Sequence, residues 1–236
     1  MSTRIPELSV FFPSYNEEKN IECTIMAALK VAPEVSDKYE IIAINDGSSD
    51  RTGEIINGLA KKYKTVKAIH HKRNRGYGAA FKSGFYSAKY KWIAFTDSDG
   101  QFDFSEIVNF IKKQKETGAD LVIGYYKKRR VSFSKILTSR VWEFMIFVFF
   151  RLHVRDIDTG FKFVSKEVIN SIPKLESERG AFISSEFLVK AKKQGFKIVE
   201  IPVTHYPREK GAGTGRNLNV IAGSFLDLVR LWKKLH

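Results

Sequence analysis

Continuous apolar runs and helically spaced apolar residues alternate along the first half of the chain. Leu8 to Phe12 is an unbroken apolar run stopped by Pro13, the signature of a strand buried on both faces of a parallel sheet. Ile21, Ile25, Ala28 and Leu29 then recur at helical spacing. Glu40 to Asn45 predicts a second buried strand, followed by a helix through Ile55, Ile56 and Leu59 with Asp50 as its N-cap. Val66 to His70 predicts a third strand, and Asn74 to Ala80 opens a helix that contains Lys82. Trp92 to Phe95 predicts a fourth strand, Phe104 to Glu116 a helix with Ile107, Phe110 and Ile111 inward, and Asp120 to Gly124 a fifth strand. Strand and helix therefore alternate through four units and a further strand. That pattern predicts an α/β fold with a mostly parallel central sheet flanked by helices.

After Gly124 the pattern changes. A basic cluster, Lys127 to Arg130, precedes Phe133, Ile136, Leu137 and the apolar segment Val141 to Phe150, flanked by Arg140 and Arg151. Helical phase spreads these apolar residues over most of the circumference, which suits either a core helix or one lying in a membrane interface. Ser184-Ser185-Glu186 begins a helix ending near Gly195, with Ser184 placed to cap it, and Lys197 to Val203 predicts a last strand. The segment His205 to Arg216 is basic and glycine-rich, as a mobile phosphate-clamping loop would be. Asn217 to Leu235 is amphipathic, with Val220, Ile221, Phe225, Leu228, Leu231 and Trp232 on one side. It is expected either to dock on the domain or to lie on a membrane beside Arg230, Lys233 and Lys234. The expected organisation is a domain over residues 1–216 and a C-terminal amphipathic helix over residues 217–236.

Composition narrows the class. The 236 residues, 43% hydrophobic, can fill one large α/β core. The net charge of +14 favours anionic partners, but the chain carries no motif that reads nucleic acid, so none is expected as a partner. Cys23 is the only cysteine, which excludes an intrachain disulfide and fits a reducing compartment. Met1 to Glu7 has no signal-peptide core, and Phe144 to Phe150 is far short of the roughly 20 residues that span a bilayer. The expectation is a cytoplasmic protein, soluble or peripheral on the cytoplasmic face of a membrane. A membrane-protein partner or a homo-oligomer remains open.

Acidic residues gather where the strands end. Asp97 and Asp99 follow the fourth strand one residue apart, so on an extended chain both point the same way and can converge on one cation. Gly100 lets the backbone turn and Gln101 adds a neutral oxygen, a hard donor set suited to Mg²⁺ or Mn²⁺. The competing reading is a polar loop that caps the next helix. Glu17, Asp46 and the Asp156/Asp158 pair sit in similar places, and later loops offer arginines. Together these suit a metal–diphosphate ligand with a phosphorylated partner. Asn74-Arg75-Gly76-Tyr77-Gly78 can hold an anion on a helix N-terminus or serve as a structural turn.

Pro13-Ser14-Tyr15-Asn16-Glu17, Asn45 to Thr52, Asn74-Arg75-Gly76, Asp97-Ser98-Asp99-Gly100-Gln101, Asp120 to Gly124 and Asp156 to Phe161 resemble the ordered motifs of family-2 glycosyltransferases with the GT-A (nucleotide-diphospho-sugar transferase) fold. The resemblance runs from about Leu8 to Arg216 and is strongest to the polyprenyl-phosphate hexosyltransferases that use dolichol or undecaprenol phosphate. It implies an inverting transfer of a hexose from a UDP- or GDP-sugar to a polyprenyl phosphate at a membrane surface. It also implies nucleotide-sugar binding by Pro13, Tyr15, Glu17, Asp46, Lys72, Gly76, Asp97, Ser98 and Asp99, and a divalent cation on Asp97, Asp99 and Gln101. Arg129, Arg140, Arg208 and Arg216 would take the acceptor phosphate. Asp156, Asp158 and Glu186 are the implied catalytic carboxylates. Ile157 and Asp158 replace the Pro and Thr usual in that motif, and Gly213-Thr214-Gly215-Arg216 replaces the usual Gly-x-Ser-Lys. A lipid phosphate is ionised near neutral pH and needs no strong general base, whereas a hydroxyl acceptor needs one, for which Glu186 is the candidate.

Overall fold

A computed structural model describes residues 3–127, 133–178, 180, 182–208 and 218–235, with the side chains of 133–138 and 218–225 left out. The expectations for the side chains of Phe133, Ile136, Leu137, Val220, Ile221 and Phe225 therefore lie outside the described residues, as do those for Arg129 and the Gly213–Arg216 turn. Seven strands form one sheet: β1 (Ile5–Ser14), β2 (Ser36–Asn45), β3 (Val66–His70), β4 (Trp92–Phe95), β5 (Leu121–Tyr126), β6 (Lys162–Ser165) and β7 (Ile198–Val203). Their order across the sheet is β3-β2-β1-β4-β6-β5-β7. All neighbouring pairs are parallel except those of β6, which runs antiparallel between β4 and β5. The parallel strands thus deliver their carboxyl ends, and the loops that follow, to one edge of the sheet.

Among the described residues eight helices cover the two faces: α1 (Ile21–Val35), α2 (Thr52–Lys62), α3 (Tyr77–Ser87), α4 (Ile107–Thr117), α5 (Phe133–Phe150), α6 (Lys166–Ser171), α7 (Phe182–Lys193) and α8 (Leu218–Leu235). Side-chain alternation along β1 divides the core. Phe11 packs on one face with Phe81, Phe85, Phe95 and Phe187, and Phe12 packs on the other with Ile25, Phe104, Phe110 and Phe161. The Phe11 and Phe95 rings stack 5.0 Å apart, directly beneath the acidic end of β4. Burying one such side chain contributes about 1.5–3 kcal/mol, so this aromatic layer anchors the strand ends that carry the polar loops.

Several elements differ from the sequence expectation. β6 and α6 are absent from it, because a four-residue strand between polar loops is too short to show a period. Helix α1 runs directly into β2 without a loop, the switch made at Ser36, whose hydroxyl closes the helix by donating to Ala32 O. The Phe104–Glu116 helix is split into a 3-10 turn (Phe104–Glu106) and α4, with Asp103 as the cap of the turn. Asp50 does not cap α2 as predicted: Arg51 holds the N-cap position, and Asp50 accepts instead from the Thr52 N–H and hydroxyl. Ser184 likewise lies inside α7, buried, rather than at its cap. The C-terminal helix docks on the domain through buried Leu228 and Leu231.

Candidate functional site

The loop after β1 is locked to the loop after β2. Asn16 takes a left-handed φ of 56°, donates its N–H to Ser48 Oγ at 3.0 Å and accepts from the Ser49 N–H at 2.9 Å. Glu17 N–H donates to Thr52 Oγ1 at 2.8 Å. Pro13 is buried at the end of β1 and Tyr15 is exposed beside it. Ser98, expected to touch the nucleotide, is buried and donates to Pro13 O at 2.7 Å, which joins the ends of β4 and β1.

Asp46, at the end of β2, is buried and fully engaged. It accepts from Gly76 N–H (2.8 Å), Arg75 N–H (3.0 Å) and His71 Nδ1 (2.5 Å). Gly76 has a φ of 102°, which an L side chain rarely adopts, and this presents its N–H to the carboxylate. Asp46 thereby shapes the loop before α3. Lys72 is exposed on the same loop.

That loop leads into Tyr77, whose hydroxyl donates to Asp97 Oδ1 at 2.9 Å. Asp97 and Asp99 follow β4, which ends at Phe95, with Asp99 in the bend that Gly100 continues at a φ of 76°. Burial, followed by the charge of Asp99, pushes the Asp97 carboxyl up to about 6, and burial raises Asp99 too. On its other side Asp97 touches Gly160, where a Cβ would come within 2.2 Å of Asp97 Oδ2. Arg208, in the loop after β7, reaches across to both acids of the cleft: Nη2 donates to Glu17 Oε1 at 2.5 Å, and Nη1 lies 3.5 Å from Asp99 Oδ2. Burial also raises Glu17, against the opposing pull of Asn20 and Arg208.

The second acidic loop divides its pair. Asp156 is buried, Ile157 enters the core and Asp158 is exposed. Lys162, fully buried at the start of β6, donates to Thr159 O and lies 5.4 Å from the centre of the Phe95 ring. Burial lowers its ammonium to about 8, and the charges of Asp156, Asp158 and Asp97 oppose that shift. Lys162 is thus the internal counter-charge of the acidic cluster. His205 stands at the end of β7 against Tyr126 and Phe102; burial lowers its imidazole, and Asp99 opposes this. The reading of the sequence missed Tyr77, Lys162 and His205 as site residues. Their positions beside quoted motifs were visible, but their partners come from other strands.

Three further candidate residues are engaged with protein partners. Gln101 Nε2 donates to Tyr206 O at 3.0 Å and ties the loop after β7 to the end of β4, while its expected ligand atom is the amide oxygen. Glu186 is buried in α7, where its carboxylate accepts from Glu176 N–H (2.8 Å), Ser177 N–H (2.9 Å) and Lys190 Nζ (2.6 Å). Burial alone would raise this carboxyl, but the Lys190 ammonium and the two N–H bonds more than offset it and hold it low. A carboxylate so engaged is a structural element and a poor base. Arg140 lies on the outer face of α5, paired with Glu143 at 3.1 Å. Arg129 and Arg216 fall outside the described residues.

The donor set fits a hard divalent cation. Burial raises the proton affinity of both Asp97 and Asp99, and the charge of Asp99 raises that of Asp97 further, an electrostatic demand that a cation relieves. His205 Nδ1 is buried with no hydrogen-bond partner among the described residues. No three His, Cys, Asp or Glu side chains among the described residues form a complete metal cage, so a bound cation would share its remaining positions with ligand oxygens.

Residues 9–172 match the family model described as "Glycosyl transferase family 2". The chain is 27% identical over 235 residues to "Glycosyltransferase AglD" of Haloferax volcanii, covering 97% of this chain and 37% of that protein. It is 31% identical to "Dolichyl-phosphate beta-glucosyltransferase ALG5A" of Trichomonas vaginalis and 31% identical to "Dolichyl-phosphate beta-glucosyltransferase" of Dictyostelium discoideum. Each alignment takes in 83% of this chain, and the chain spans 64% and 65% of those two relatives. Among solved structures, glucosyl-3-phosphoglycerate synthase of Mycobacterium tuberculosis superposes with a TM-score of 0.71 at 18% identity, over 96% of this chain and 79% of that one. A complex of the same enzyme with Mn²⁺, uridine diphosphate and glucosyl-3-phosphoglycerate superposes with a TM-score of 0.67 at 19% identity, over 96% of this chain and 78% of that one.

Proposed function

Since this chain belongs to glycosyl transferase family 2 and has the GT-A fold, we propose that it transfers a hexose, with inversion, from a UDP- or GDP-sugar to a polyprenyl phosphate. The observation that carries the choice of acceptor is the state of Glu186. Three hydrogen bonds and a lowered proton affinity leave it unsuited to deprotonating a hydroxyl. A phosphate acceptor arrives ionised and needs no such base. The dolichyl-phosphate glucosyltransferases among its relatives point to the same acceptor class, and that acceptor brings the protein to a membrane surface.

In this reading Asp97 and Asp99 hold Mg²⁺ or Mn²⁺, with the remaining positions filled by ligand oxygens. When bound, the cation supplies charge stabilisation for the departing nucleoside diphosphate. The chain's own residues do the rest. Tyr77 fixes the rotamer of Asp97. Gly160 leaves the space in which that carboxylate sits. Lys162 balances the acidic cluster from beneath. Arg208 grips phosphate at the mouth of the cleft, and the Pro13–Glu17 loop shapes the nucleotide side. Asp158, exposed beside the buried Asp156, faces the sugars.

The test is release of nucleoside diphosphate from UDP- and GDP-hexoses with Mg²⁺ or Mn²⁺ and a short-chain polyprenyl phosphate. Acceptor-dependent release is expected with one donor. Silence with every donor, or release that follows an added saccharide and ignores the lipid phosphate, overturns the reading.

A further inference from the structure

Helix α5 is docked on one side and bare on the other. Ile146 and Phe150 are buried in the core, and Trp142 Nε1 donates to Ser185 Oγ at 3.1 Å on α7. Toward solvent it presents Val141, Phe144, Phe147 and Val148, which are 51%, 65%, 38% and 52% exposed. Arg140 and Arg151 are also exposed, one at each end. At 100° per residue Arg140, Val141, Phe144, Phe147 and Val148 fall within an arc of about 120°, and Arg151 follows the end of the helix. The outward stripe therefore reads Arg140, then about two turns of apolar side chains, with Arg151 beyond the helix end. Trp232 of α8, itself 39% exposed, extends the apolar surface through its contact with Phe149, 6.2 Å between rings.

A cavity of about 430 Å³ opens where the stripe ends, between residues 151–154 and the start of β7. Arg151, His153, Lys192 and Lys197 line it, with Glu200 as its acid. The His153 ring contacts that of Phe147 at 5.8 Å, so the cavity and the stripe adjoin. An apolar helical face closed by arginines, beside a cation-lined hollow, matches a surface that is apolar within and anionic at its rim. A second copy of this chain, at +14, would bring like charge to the same rim.

We propose that the outward face of α5 seats this protein on an anionic lipid surface. Phe144, Phe147 and Val148 enter the headgroup–acyl boundary, and the Arg151–Lys192–Lys197 cavity receives a lipid phosphate. The inference deepens the proposed lipid-linked reaction by naming the face that meets the membrane. Among the described residues no helix is long and apolar enough to cross one, so contact in the plane of the interface is the mode this face supports.

The test is co-sedimentation of the full chain with phosphatidylcholine vesicles with and without phosphatidylglycerol. Binding is expected only with phosphatidylglycerol, to weaken in high salt, and to fall at least tenfold in a Phe144→Glu/Val148→Glu variant with an unchanged melting temperature. The Arg151→Glu/Lys192→Glu variant should lose the preference for phosphatidylglycerol. Equal binding to both vesicles, or binding unaffected by the α5 substitutions, overturns the proposal. So does a solution dimer that the α5 substitutions convert to monomer. Transfer to a water-soluble, short-chain polyprenyl phosphate should stay within about twofold in the α5 variant. If the wild type transfers to no acceptor, the proposed reaction fails while vesicle binding still decides the docking face.

Discussion

The Tyr77 hydroxyl donates to Asp97 Oδ1 at 2.9 Å, so the first residue of α3 fixes a carboxylate at the end of β4. Burial, with the charge of Asp97 next, raises the phenol well above its ordinary value, so it stays a donor throughout the working range. Tyr77→Phe keeps the ring packed near Phe81 and removes only the donor. A hydrogen bond to a charged group contributes about 1.5–3 kcal/mol, so turnover should fall roughly 10- to 100-fold. Nucleoside diphosphate release, with the melting temperature as control, checks this; unchanged turnover would show that Asp97 needs no such anchor.

Asp97 also makes stability depend on pH. Its folded carboxyl is raised to about 6 from an ordinary 3.8, so the native state binds that proton more tightly than the unfolded chain does. The native state is therefore destabilised as pH rises through that interval, and the effect is absent below it. Asp97→Asn removes the charge and retains an acceptor for Tyr77. Without metal, the variant should exceed the wild type in stability by about 1–3 kcal/mol near pH 8 and match it near pH 4. Denaturant titrations at the two pH values give the comparison, and a variant less stable at pH 8 would contradict it.

Glu186→Gln separates structure from chemistry. The substitution leaves the buried Lys190 ammonium, 2.6 Å away, with a neutral partner. A loss of about 1–3 kcal/mol in stability is expected. Turnover well below the melting temperature should remain within about threefold of wild type. Loss of turnover in a folded variant would make Glu186 a base and shift the acceptor to a hydroxyl.

Arg208 competes for Asp99 with whatever cation the site holds. Arg208→Ala should tighten Mn²⁺–nucleoside diphosphate binding several-fold, because Glu17 and Asp99 lose their internal partner. The same variant should lose at least about 100-fold in turnover with a phosphorylated acceptor. Calorimetry and nucleoside diphosphate release read the two effects separately. If both moved in the same direction, the guanidinium would have a single role.

The strands and the acids at their ends were legible in the chain. Val10–Phe12 and Trp92–Phe95 are apolar without interruption, because a parallel strand is covered on both faces, and Asp97 and Asp99 stand directly after the second of them. Four-residue β6 was not legible, since its identity depends on lying between β4 and β5. That insertion also carries Lys162 under the acidic cluster.

What the sequence by itself determined is the alternating α/β order and the placing of acids at strand ends, both consequences of local periodicity. Only the tertiary structure decided how each polar group is employed. Asp46 and Ser98 hold loops, Glu186 is consumed by Lys190 and two backbone N–H groups, and Tyr77 and Arg208 reach carboxylates on other strands. The reason is physical: a carboxylate's chemistry follows from its burial and its donors, and those donors are contributed by residues distant in the chain.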